Sequence, residues 1–138
     1  MEINFLIGGK NVKQYYDDLL NTKQIMLSLN NEINFKENDN MLYIDNSMFV
    51  NLNEILKRYK LMHDDQKVFL ILRYASKNYC DEIYLYMKNI DFNFMKLFFH
   101  YVHDNINIFY KNKKDIKDIL HYKNIKLKKI SKEEMYEN

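Results

Sequence analysis

Apolar positions recur along this chain in two rhythms, every second residue in short runs and every third or fourth in longer ones. Ile3, Phe5 and Ile7 alternate with Glu2, Asn4 and Leu6 up to Gly8-Gly9, which predicts a short strand closed by a turn. From Asn11 to Leu29 the helical rhythm dominates, with Leu19, Leu20, Lys23, Met26, Leu27 and Leu29 on its stripe. Tyr15-Tyr16-Asp17-Asp18 fits that helix or a second strand followed by a helix from Leu19, and both readings stand. Glu32 to Phe35 alternates briefly before a polar turn over 36–40. Met41-Leu42-Tyr43-Ile44 reads as a buried strand. A helix is then expected from Asp45, Asn46 or Ser47, with Phe49, Leu52, Ile55, Leu56 and Tyr59 on its stripe.

The centre of the pattern is 65–90. Phe69, Leu72, Ala75 and Tyr79 lie three and four apart, with Val68, Leu70 and Ile71 widening the stripe. That predicts an amphipathic helix, with Asp64 or Asp65 able to cap its first turn. Ile83, Tyr84, Met87 and Ile90 follow at the same spacing, so a second helix capped by Asp81 and packed antiparallel on the first is expected.

Asp91 to Val102 is a further helix, rich in Phe92, Phe94, Phe98 and Phe99. Such a face is core against neighbouring helices or an apolar surface for a partner. His100 and His103 have a spacing that could share a metal, but no further ligand cluster stands near them, so solvated histidines are the expectation. From Lys111 to Lys132 nine lysines face only Asp115 and Asp118. A helix around Ile116 to Tyr122 and an edge strand through Ile125, Leu127 and Ile130 are expected there, the lysines guarding the edge. The alternative is a phosphate-contacting patch of Lys113, Lys114, Lys126, Lys128 and Lys129, although arginine is absent from the tail.

Composition narrows the class. The chain has 138 residues, 47% of them hydrophobic, which suits one globular domain over about 1–110 with a basic helix or tail over 111–138. Proline is absent and Ala75 is the single alanine; Asn, Lys, Ile and Tyr take their place, a composition resembling proteins of AT-rich large DNA viruses. The net charge of +2 names no partner. Cys80 stands alone, so no internal disulfide forms, a reducing compartment is expected and a buried structural thiol outweighs a nucleophile. No apolar run reaches the roughly eighteen residues of a membrane span, and the first residues do not resemble a signal peptide. A soluble, intracellular protein with no membrane partner is expected. Gly8-Gly9-Lys10 lacks Walker spacing and its Ser or Thr. No catalytic residue, cofactor or metal site is expected, and Asp17-Asp18 and Asp64-Asp65 read as helix caps.

Three passages together resemble the BTB/POZ fold of elongin C and cullin adaptors. Ile3 to Gly9 with Leu19 to Leu29 looks like its opening strand and first helix. Met41 to Ile44 followed by Phe49 to Lys60 looks like its third strand and the helix after it, and Asp65 to Tyr86 like its final helical hairpin. The resemblance covers about 1–90 and carries no diagnostic motif; the small-residue dimer helix of the family is not visible. It implies an α+β domain, a small mixed sheet of short strands with about five helices, that binds proteins without catalysis. Asn53, Lys57 and Tyr59 would lie near a cullin-facing helix, and Phe92, Phe94 and Phe98 would present a second partner surface. A homo-oligomer is compatible with it. The expected role is an adaptor, or a viral mimic of one, for a cullin-type ubiquitin ligase. Two alternatives remain: an all-α, Bcl-2-like bundle inhibiting host apoptosis or innate signalling through a helix groove, and a small nucleic-acid-binding protein using the lysine tail.

Overall fold

The computed structural model describes residues 1–29, 35–38, 40–103, 105–120, 122 and 125–130. Its frame is a seven-stranded mixed sheet in the order β2-β3-β4-β5-β1-β6-β7. The strands are β1 (Glu2–Ile7), β2 (Phe35–Asn38), β3 (Met41–Ile44), β4 (Ser47–Asn51), β5 (Glu82–Met87), β6 (Asn105–Tyr110) and β7 (Ile125–Lys129). β4, β5, β1, β6 and β7 run parallel, and β2 and β3 add an antiparallel hairpin at one side. The helices are α1 (Lys10–Leu29), α2 (Leu52–Arg58), α3 (Asp64–Lys77), α4 (Phe92–Tyr101) and the 3-10 helix η1 (Lys113–Ile119). The expected α+β class with a mixed sheet and five helices is what folds, and the sheet makes the all-α alternative untenable.

Alternation along the strands sends side chains to two cores. Ile3, Phe5 and Ile7 of β1 pack with Ile83, Leu85 and Met87 of β5 against α2, α3, α4 and η1. Leu6, Phe49 and Tyr86 point to the other face, where α1 covers them with Val12 and Tyr16. The layering follows from connection direction. β1 leads across β5 to the β4 side and carries α1 on one face. Every later crossover steps back the other way, and right-handedness then puts its helix on the opposite face.

Several expected elements fold differently. The second helix of the 65–90 pair is β5, so the hairpin implied by the third passage of the resemblance does not form. Ile83, Leu85, Tyr86 and Met87 are all buried, because a central strand is covered on both faces and its apolar run loses simple alternation. The helix expected from residues 45–47 starts later. Asp45 takes φ +53° in a two-residue turn, β4 follows, and Asn51 caps α2 by accepting from the Asn53 amide at 3.1 Å. Residues 35–38 are strand, and the polar turn is confined to its end, where Asn40 has φ +65°. Helix α1 is continuous, so the strand reading of 15–18 fails; the Glu32–Asn34 part of the next alternation lies outside the described residues.

α1 starts at Lys10, two residues after Gly8, whose φ of +147° and closeness to Val12 suit only glycine. α3 is preceded by His63, whose amide donates to the Gln66 side chain at 3.3 Å. It ends where Tyr79 takes φ +54° and the Cys80 amide donates to the Ala75 carbonyl at 2.9 Å. β6, for which the sequence pattern predicts no element, is an interior strand between β1 and β7. Among the described residues after 110, Ile116 and Ile119 are fully buried and β7 pairs with β6 as the expected edge strand.

Candidate functional site

Two surfaces stand out once the core is accounted for. The first is the outer end of α1. Val12, Tyr16, Leu19, Leu20 and Leu27 form the stripe that meets the sheet. Lys23 joins this stripe: its Nζ hydrogen-bonds Ser47 Oγ, lies 3.5 Å from Glu82 and sits 5.3 Å from the centre of the Tyr84 ring. Ile25, Met26 and Leu29 fall off the stripe and are 60%, 59% and 78% exposed. Beneath them Leu27 faces Ile44 of the hairpin, with an apolar cleft on either flank. One, about 210 Å³, is bounded by Met26 and Asp45; the other, about 220 Å³, by Gln24 and Phe35. Phe35, 45% exposed, belongs to β2, which ends the sheet and leaves one side of its backbone unpaired by any described strand.

The second surface is the rim formed by the carboxyl ends of the parallel strands. Open α/β sheets bind ligands there, where neighbouring strands exit to opposite faces. β1 exits towards α1, while β5 and β6 on either side of it exit towards α4 and η1. The register brings Gly8, Lys88 and Lys111 to one level, with Lys10, Lys113 and Lys114 just beyond. A Cβ built on Gly9 would meet nothing within 4 Å, so the space above the turn is open. Asp91 and Asp115 also lie in these loops, and Asp91 is committed to capping α4 through the Phe94 amide at 3.1 Å. The amino ends of β1, β4 and β5 carry the opposite sign, with Glu2, Asp45, Asp81 and Glu82.

The expected site residues scatter over this frame. Asn53 is at the carboxyl rim, where its Oδ1 accepts from the Lys88 amide at 3.2 Å. Lys57 and Tyr59 are on and just after α2, which packs on β5. Phe94 and Phe98 are fully buried, Phe98 edge-on to Phe5 at 5.3 Å, so the aromatic helix is core and cannot present them to a partner. Phe92 is partly buried beneath the Lys96 ammonium, 4.4 Å from its ring centre. Lys113 and Lys114 join the rim, whereas Lys126, Lys128 and Lys129 are exposed along β7, with Lys128 over the Phe109 ring. The structure thus unites Asn53 with Lys113 and Lys114 at one rim and leaves the other residues apart. The sequence pattern puts Lys23, Met26 and Leu29 on one stripe, whereas in the fold Lys23 lies on the sheet side and Met26 and Leu29 face outward.

Burial favours the protonated form of three side chains, Cys80, Tyr84 and Tyr16. Burial, with Asp81 beside it, pushes the Cys80 thiol up, away from its reactive thiolate. Burial and a 2.5 Å hydrogen bond to Glu82 raise the Tyr84 phenol, and burial raises that of Tyr16. Among the described residues no three His, Cys, Asp or Glu side chains come together to hold a metal ion, and no helix is long and apolar enough to cross a membrane. Compared with family models, curated proteins and solved structures, the chain matches none.

Proposed function

We propose that the protein is a non-enzymatic binding module that docks a protein partner on the outer end of α1 and the hairpin beneath it. One exposed apolar side chain needs no explanation. Ile25, Met26 and Leu29 are three within five residues of one helix, beside two apolar clefts, and this observation carries the reading. Each cleft is the size of one side chain. A partner helix with spaced apolar anchors, or an extended segment pairing with β2, fits such a surface. The test is photo-cross-linking from position 29, with position 57 as control, in lysate of the producing cells. Capture of one defined protein at 29 alone, abolished by Met26→Asp with the melting temperature unchanged, supports the reading. Equal capture from both positions, or none at 29, overturns it.

A second reading rests on the opposite charge at the two ends of the strands. Lys10, Lys88, Lys111, Lys113 and Lys114 around an open glycine turn favour a phosphate-bearing ligand at the carboxyl rim. Titration with inorganic pyrophosphate, followed by amide chemical shifts, should move Gly9, Lys88 and Lys111 first and weaken as salt rises. Shifts spread evenly over all lysines would rule this reading out.

A further inference from the structure

At the amino edge of the sheet, opposite the carboxyl rim, lies a third feature that neither reading uses. A cavity of about 810 Å³ opens between the C-terminal half of α4 and the first residues of β6 and β7. That volume is within the range of small-molecule sites, about 300–1,000 Å³. Its apolar wall comes from Leu97 and Phe99 of α4 with Ile106 and Ile125 of the two strands. Its polar wall comes from Lys96, His100 and His103, with Asn105 and Tyr122. The spacing explains the division: α4 turns Phe94 and Phe98 into the core, and Lys96 and His100, four apart, stand along its open side.

The charge of the wall selects the ligand. Among its described residues the wall holds one ammonium and two hydrogen-bonding imidazole rings, and no carboxylate. A metal ion would find two imidazoles and no third ligand among the described residues. A wholly apolar ligand would desolvate Lys96 and both histidines without compensation. We propose that this cavity binds a small organic anion, a carboxylate, sulfonate or phosphate carried on an aromatic or aliphatic body. The body lies against Leu97, Phe99 and Ile106, and the anion meets Lys96 and His100.

The experiment uses two fluorescent probes on the full chain: anilinonaphthalene sulfonate and neutral phenylnaphthylamine, which shares its ring system. The sulfonate should bind saturably with one site, and the neutral probe about tenfold more weakly, the size of one charge-assisted contact. Lys96→Ala combined with His100→Ala should remove that preference and leave the melting temperature unchanged, since both side chains are exposed. Met26→Asp, at the distant α1 surface, should change nothing. Equal binding of the two probes, a preference that survives the double substitution, loss with Met26→Asp, or no saturable binding each overturns the proposal. Should the double variant melt early, Lys96→Gln combined with His100→Gln, which keep the side-chain bulk and remove the charge, replaces it with the same expected loss of preference.

Discussion

Asn107 donates from its Nδ2 to Asn4 Oδ1 at 3.1 Å, across the β6–β1 register that pairs the same two residues. Asn107 Nδ2 also reaches Glu2 Oε1 at 3.0 Å, and Asn4 Nδ2 donates onward to the Ile83 carbonyl at 3.4 Å. Both amides are buried, 3% and 1% exposed, so they are satisfied only when β6, β1 and β5 stand in this register. Asn107→Ala should cost about 1–3 kcal/mol, because it strands the Asn4 oxygen away from water. Replacing both by Val should cost less than the sum of the single changes. Urea denaturation of the three variants checks this, and simple additivity would refute the coupling.

Phe98 sits at the junction of α4 and the sheet, edge-on to Phe5 at 5.3 Å and to Phe94 at 5.5 Å. Phe98→Ala should therefore lose about 3–5 kcal/mol, as large aromatic deletions in cores do. Lys57→Ala, at an exposed position of α2, should stay within about 0.5 kcal/mol of wild type. Thermal melts decide it: an unchanged midpoint for Phe98→Ala would mean that α4 does not pack as described.

The backbone makes opposite demands at two positions with positive φ. A Cβ on Gly8 would stand 2.6 Å from Val12 Cγ2 at φ +147°, so Gly8→Ala should destabilise by about 1–3 kcal/mol. Gly9→Ala, with open space around it, should be close to neutral. Tyr79, 85% exposed at φ +54°, bears a strain that glycine lacks, so Tyr79→Gly should stabilise by up to about 1 kcal/mol. Denaturant midpoints read all three.

Tyr16 and Tyr84 link stability to alkaline pH. Burial raises both phenols above their ordinary value, and Glu82 adds to the shift at Tyr84. A raised folded pKa means a contribution that is complete below about pH 10, the unfolded value, and is lost as pH climbs towards the folded value. Stability should accordingly hold to about pH 9 and fall beyond pH 10. Tyr16→Phe should flatten that fall, and Tyr84→Phe should flatten it while costing about 1 kcal/mol at neutral pH for the lost hydrogen bond. Urea midpoints across the alkaline range measure both slopes.

What the chain reveals by pattern alone depends on how its segments are covered. α1, α3 and α4 each bury one stripe, so their periodicity is plain, and Asp91 marks the start of α4. β4 and β5 are buried on both faces, and runs of three and five continuous apolar residues, Met48 to Val50 and Ile83 to Met87, fit a helix turn as well as a strand. Asn105-Ile106-Asn107-Ile108 does alternate, but its polar partner Asn107 is buried against Asn4, a pairing visible only once β6 lies beside β1. The exposed surface of α1 was hidden for a related reason: Lys23 occupies the sheet side, and apolar Met26 and Leu29 take the solvent side.

β1 is flanked by β5 and β6, both of which come about 80 to 100 residues later in the chain. During synthesis its Ile3-Asn4-Phe5-Leu6-Ile7 run therefore emerges from the ribosome long before either neighbour exists. Until β5 arrives it is an apolar segment without a hydrogen-bonding partner, of the kind that chaperones hold and that aggregates recruit. The slow step of folding is then the insertion of β1 between strands made much later, and the yield of native protein in the cell depends on how long that first strand can wait.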